Sequence, residues 1–199
     1  MAIQINGSGT ITGINVGGLP DGIVDTDMIA ANAITNAKRA TPGQILQVQH
    51  VKDTSSANFS PSGAGDWDDM SALTVNITPA STSSKILVLA HACVSESTDY
   101  GVWFRVLRGS TALAGATSNN RTPISFGNSA AGSYNDDKCV SSSFSYVDEP
   151  SSTSQLTYKV QAISRYAPHT WSYNKSYDTG DSFANGQGVS TLTVMEIAG

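Results

Sequence analysis

The sequence predicts a mainly β protein: a two-sheet, jelly-roll-like sandwich over residues 41–199, preceded by a small strand-plus-helix segment over residues 1–40. Three observations carry this. Leu73, Val75 and Ile77 alternate with Thr74, Asn76 and Thr78, the period of a half-buried strand. After turn formers at 79–84, residues 86–90 are apolar on both faces, and alternation resumes at Ala92 and Val94. That places a strand buried on both sides beside the first, the centre of a layered β domain. Similar stretches recur between loops too long for a simple meander, giving about eight to ten strands.

In chain order, residues 1–19 hold Ile3, Ile5, Ile11, Ile14 and Val16 among five glycines, which reads as one or two thin strands with bends. So few large apolar groups do not offset the entropy of ordering the segment alone. Pro20-Asp21-Gly22 is a turn. Asp25 or Thr26 caps a predicted helix running to Lys38, with Met28, Ile29, Ala33, Ile34 and Ala37 on its apolar side. Lys38 and Arg39 suit its C-terminal dipole. A helix this short is marginal without packing, and its alanines favour close approach to symmetry mates, or to its own domain.

Thr41-Pro42-Gly43 marks the boundary. Residues 44–52 read as a strand, 53–69 as a long loop containing Phe59 and Trp67, and 73–94 as the central hairpin. Further strands are expected at 100–107, 111–117, 138–147, 155–164, at Trp171 and Tyr173, and at 189–197, with loops at 119–137 and 174–188. A domain of this size buries roughly 70% of its unfolded surface and needs no staples. Cys93 and Cys139 are therefore expected as two buried free thiols acting as small hydrophobes. A disulfide would require an oxidising compartment, which nothing in the sequence announces.

Only 14% of the 199 residues are charged, against about 25% in a typical domain. Roughly a quarter are Ser or Thr, which suits a rigid β protein that buries part of its outside against copies of itself. The net charge of -5 and the lack of any basic run argue against a nucleic-acid partner. No signal-peptide pattern opens the chain, and no apolar run approaches the length of a membrane span, so no membrane insertion is expected.

Several stretches resemble segments common in tailed-bacteriophage fibre proteins. They are Gly-Ser-Gly-Thr-Ile-Thr-Gly (7–13), Gly-Gly-Leu-Pro-Asp-Gly (17–22), Ala-Ile-Thr-Asn-Ala-Lys (33–38) and Pro-Gly-Gln-Ile-Leu-Gln-Val (42–48), with Ile-Thr-Pro-Ala-Ser-Thr-Ser-Ser-Lys-Ile-Leu-Val (77–88) and Leu-Thr-Val-Met-Glu-Ile (192–197). The resemblance implies a structural virion protein, a short tail fibre, head fibre or spike, assembled in the host cytoplasm as a homotrimer. Its N-terminal segment, through Ile3, Ile5, Ile11, Ile14 and Val16, would attach to other virion structural proteins. Its sandwich would meet the host surface. The chain departs from long fibres in lacking a shaft, since no β-helical repeat or heptad run separates its ends.

No catalytic or cofactor motif is present: no Gly-x-Ser-x-Gly elbow, His-Glu-x-x-His, Walker loop or dinucleotide fingerprint. No enzyme activity and no cofactor are therefore expected. Asp66, Asp68 and Asp69 around Trp67 carry oxygen ligands suited to calcium, but without EF-hand spacing they also read as solvated carboxylates. Asp136-Asp137 is a second such pair.

The recognition candidate is 165–188, where Tyr166, Trp171, Tyr173, Tyr177 and Phe183 are interleaved with Asp178, Asp181 and Asn185. Aromatic faces with amides and carboxylates are the chemistry of a host-surface polysaccharide site. Trp171 and Tyr173 are equally what a sandwich core or subunit interface would bury. The competing expectation is a capsid- or tail-decorating structural or adaptor protein that binds no receptor. A polysaccharide-degrading spike would need a long β-helix, for which 199 residues leave no room.

Overall fold

The computed structural model describes residues 41–60, 65–96, 101–113, 115, 119–128, 139–164, 169–177, 180, 182–183 and 185–199, together with Ile34. The chain divides into two units, Met1–Arg39 and Ala40–Gly199, and the described strands all belong to the second. The strands and helix expected before residue 40, including Ile3, Ile5, Ile11, Ile14 and Val16, lie outside the described residues.

Eleven strands follow one another: β1 (Ile45–Asp53), β2 (Ala57–Phe59), β3 (Asp68–Ile77), β4 (Lys85–Glu96), β5 (Val102–Arg108), β6 (Thr111–Leu113), β7 (Phe126–Asn128), β8 (Val140–Asp148), β9 (Leu156–Ser164), β10 (Trp171–Tyr173) and β11 (Ser190–Ile197). They form two antiparallel sheets. The first runs β1-β11-β4 with β8 on the far edge of β4, extended by β10 and β2. The second runs β3-β9-β5, with β6 and β7 paired to β5.

Two of the lines are broken strands. Residues 85–91 of β4 pair with β11 and residues 94–96 with β10, so β10 and β11 lie end to end. In the same way β6 and β7 pair successive parts of β5. Taken as lines, each sheet has four strands and the chain passes between sheets in the two-Greek-key order of a jelly roll. Between the sheets lie Leu73, Val75 and Ile77 of β3, Ile86, Val88 and Ala90 of β4, Phe104 and Val106 of β5, Tyr158 and Val160 of β9, and Leu192 and Val194 of β11. Each set has spacing two, as alternation demands.

The structure corrects four expectations. β3 and β4 are not a hairpin: β3 pairs with β9, and β4 pairs with β11, β10 and β8. Residues 78–84 cross from one sheet to the other, so the two apolar faces meet across the core instead of side by side. Alternation shows that a strand has an apolar face and is silent on whether neighbours join by edge or by face.

Secondly, β4 is paired along both edges but sealed on one face only, since Leu87, Leu89 and His91 on its outer face are half-buried. Thirdly, the loop at 53–69 contains β2 and the start of β3, the loop at 119–137 contains β7, and the strand expected at 111–117 stops at Leu113. Fourthly, Cys93 and Cys139 are joined in a disulfide, with Cα atoms 6.0 Å apart. The pairing of β4 with β8 sets Cys93 opposite Ser141, two residues from Cys139, and no local signal in the sequence reports that pairing.

Candidate functional site

Strand direction gives the sandwich two unlike ends. At one end, the base, the chain enters β1 and leaves β11, where Gly43 N–H donates to Ala198 O and Ala198 N–H to Gln44 O, each at 2.8 Å. The crossings at 78–84, 109–110 and 149–155 also lie at the base. At the opposite end the strands open into the connections 60–67, 97–101, 129–139, 165–170 and 174–189, while 114–125 joins β6 to β7 alongside β5.

The longest excursion at that end, 174–189, is held at its root by Asn174. This residue is 1% exposed and adopts φ 54°, a conformation asparagine tolerates better than most residues. Its backbone N–H donates to Cys93 O at 2.9 Å and its carbonyl accepts Gly188 N–H at 3.0 Å. Its Nδ2 donates to the carbonyls of Asp53 and Ser55, and its Oδ1 accepts from Ser190 Oγ at 2.7 Å. One side chain thus joins the breaks between β1 and β2 and between β10 and β11.

The disulfide lies beneath the same root, for a Cβ at Gly188 would stand 2.3 Å from Cys93 Sγ. Lys175 bridges to Gln187, and Ser176 N–H donates to Gly186 O. Beyond that rung Phe183 is fully exposed.

Beside this root a shallow cleft opens, lined by Asp53, Phe59, Asp69, Met70, Ser71, Ala72 and Tyr173. Its wall exists because β3 departs from regular pairing: Asp69 stands opposite Gln161 and Thr74 opposite Lys159, so β3 spends five residues where β9 spends two. The surplus pushes Met70, Ser71 and Ala72 out of the ladder, as bulges do beside binding sites.

Phe59 and Tyr173 reach the cleft from paired strands, with Tyr173 opposite Ala57 and Trp171 opposite Phe59. The Phe59 and Trp171 rings lie 4.7 Å apart. Asp53 ends β1 in a turn, its Oδ1 accepting both Ser55 N–H and Ser55 Oγ–H. The Ser55 hydroxyl lies 3.4 Å from Tyr173 OH. Across the cleft, Asp69 accepts from Lys159 Nζ at 2.9 Å and Gln161 Nε2 at 2.6 Å. The Lys159 hydrogen bond first, and then that of Gln161, hold its carboxyl below the ordinary carboxylate value. The cleft therefore offers two acceptors, a phenol and aromatic faces.

The residues expected for recognition separate. Tyr173 lines the cleft. Trp171, 1% exposed, packs against Phe59 and Phe104 in the core, so it is not offered to a ligand. Phe183 is at the surface, while Tyr177 and Asn185 are half-buried. Asn185 N–H donates to Ser182 O. Tyr166, Asp178 and Asp181 lie outside the described residues, as do Asp136 and Asp137.

Of the carboxylates considered for calcium, Asp69 belongs to the cleft and is matched with Lys159 and Gln161, while Asp66 is exposed and Asp68 begins β3. Among the described residues no group of three or more His, Cys, Asp or Glu is placed to hold a metal ion. Trp67 packs instead beneath Arg105, whose guanidinium lies 4.4 Å from the ring centroid.

Sequence reasoning missed Asp53, Phe59 and Met70. Asp53-Thr54-Ser55 directly after an alternating strand is a turn signature that marks the first of them. Nothing local marks Met70, whose position depends on the bulge.

No family model and no curated protein matches the sequence. Among solved structures, a chain from the structure of infectious bursal disease virus, Gx strain, is similar with a TM-score of 0.38 and 12% identity, over 79% of this chain and 43% of that one. The protein thus spans less than half the length of the solved chain it matches.

Proposed function

We propose that the protein is a structural component of a virus particle, a fibre or spike that assembles as a homotrimer and adsorbs to glycan on the host surface through the loop-bearing end of its jelly roll. The N-terminal segment attaches it to other virion proteins. It acts by binding and not by catalysis.

The observation that carries this reading is the polarity of the sandwich. The chain enters at the base, and the connections after β2, β7 and β10, together with the cleft and Phe183, lie at the opposite end. A protein tethered by its leader and working by contact needs that arrangement. Self-association is supported by a row on the outer face of the first sheet: Val48 stands opposite Met195, Met195 opposite Leu87, and Leu87 opposite Val147. Val48 and Val147 are about half exposed, 50% and 47%. An uncharged row crossing four strands is a surface that another subunit would cover.

The same row favours a second reading, a decorating or adaptor protein that packs against its neighbours and binds no receptor. An array of bacterial envelope polysaccharides, probed with the full chain, separates the two. Binding that falls when Phe183→Ser and Tyr173→Ala are combined supports adsorption. Absence of binding to every polysaccharide and to intact cells would leave the decorating role.

A further inference from the structure

Three carboxylates are buried among the described residues: Asp53, Asp148 and Glu196. Two are fully matched. Asp148 pairs with Arg108 Nη1 and accepts Tyr158 OH. Glu196 accepts from Gln47 Nε2, Ala80 N–H and Ser84 Oγ. Asp53, 7% exposed, is different: both of its hydrogen bonds fall on Oδ1, and both come from Ser55. Its Oδ2 has no partner among the described residues and is not sealed from solvent, so it opens on the cleft that Asp53 lines. A carboxylate oxygen that faces a cleft with no hydrogen-bond donor from the protein is an acceptor open to a charged donor from outside.

The cleft also says which kind of cation. A calcium ion needs about six to eight oxygens, whereas Asp69 already gives one oxygen to Lys159 and the other to Gln161. The rest of the lining is Phe59, Met70, Ala72, Ser71 and Tyr173. Aromatic faces beside a carboxylate oxygen suit an ammonium group carried on a C–H framework.

We propose that this cleft binds the protonated primary amine of an amino sugar, with the ammonium on Asp53 Oδ2 and the ring against Phe59 and Tyr173. The inference rests on the adsorption reading and narrows it from glycans at large to those with a free amine. A lysine side chain offers the same ammonium, and the experiment includes it.

The test is an NMR titration of the full chain with methyl glucosaminide, its N-acetylated analogue, methyl glucoside and N-acetyl-lysine amide. Methyl glucosaminide is expected to shift resonances of Asp53, Phe59 and Tyr173, with at least tenfold weaker binding of the acetylated and neutral sugars and of the lysine derivative. Asp53→Asn keeps an oxygen for Ser55 and an unchanged thermal midpoint, yet loses about tenfold in affinity for the amine, while Asp66→Asn loses none. Equal binding of amine and acetylated sugar would overturn the proposal, as would tighter binding of the lysine derivative or displacement by millimolar calcium. Adsorption to polysaccharide that persists in Asp53→Asn would sink the amine site and leave the adsorption reading standing.

Discussion

Ser84 Oγ donates to Glu196 Oε1 at 2.7 Å, joining the crossing between the two sheets to the last strand of the chain. The same Oε1 accepts Ala80 N–H at 2.7 Å, and Oε2 accepts Gln47 Nε2 at 2.6 Å. Residues from β1, from the crossing 78–84 and from β11 therefore meet at one buried carboxylate.

Glu196→Ala is expected to destabilise the sandwich by about 2 kcal/mol, because it strands the buried Ser84 hydroxyl and removes the acceptor of Ala80 N–H and Gln47 Nε2. Urea unfolding should show a lower midpoint with an unchanged slope. Glu196→Gln keeps the volume and should lose less. A midpoint equal to that of the parent protein would mean the base is fastened elsewhere.

Asn174→Ala and Asn174→Gly separate two contributions. Both remove the side-chain bonds to Asp53, Ser55 and Ser190, but glycine accepts φ 54° without strain. Alanine should therefore be the worse substitution by about 1 kcal/mol. In both variants limited proteolysis should cut first within 174–189.

Reduction of the Cys93–Cys139 bridge, which spans 46 residues, should lower stability by about 4 kcal/mol in the chain-entropy description. Denaturation with and without reductant measures it. Gly188→Ala drives a methyl group toward Cys93 Sγ and should cost about 1–3 kcal/mol by overpacking.

Asp69 gives a small acid-side dependence. Its folded pKa is depressed below the ordinary 3.8, so its contribution is full above the unfolded value and disappears as pH falls through the folded one. With the side chain 47% exposed, solvent screening keeps this well under 1 kcal/mol. Comparing Asp69→Asn with the parent protein at pH 6 and near pH 2 should show the difference only at the higher pH.

The outer-face row is tested by Val48→Lys combined with Val147→Lys. Sedimentation at micromolar concentration should give trimer for the parent chain and single chains for the variant. A variant that remains trimeric would move the interface away from this face.

Legibility followed the range of the interactions. The alternation of Leu73, Val75 and Ile77, and the apolar run after Lys85, are local, and they fix which residues face the core whatever the strand order. The cleft is not local: Asp53, Asp69 and Tyr173 lie far apart in the chain and meet only because β3 bulges and β10 continues the line of β11. Tyr173 and Asp69 stood out in the sequence for separate reasons, and nothing there joined them.

From the sequence alone came the fold class, every strand of the sandwich except β2 and β7, and the aromatic, polar composition of 165–188, since side-chain periodicity and turn chemistry act between near neighbours. Tertiary structure decided that β3 and β4 face each other across the core, that Cys93 meets Cys139, that Trp171 is interior, and that Asp53 keeps a free oxygen in a cleft. Each of these depends on which strand edges join, and that choice is settled by the burial of the whole set of apolar faces at once.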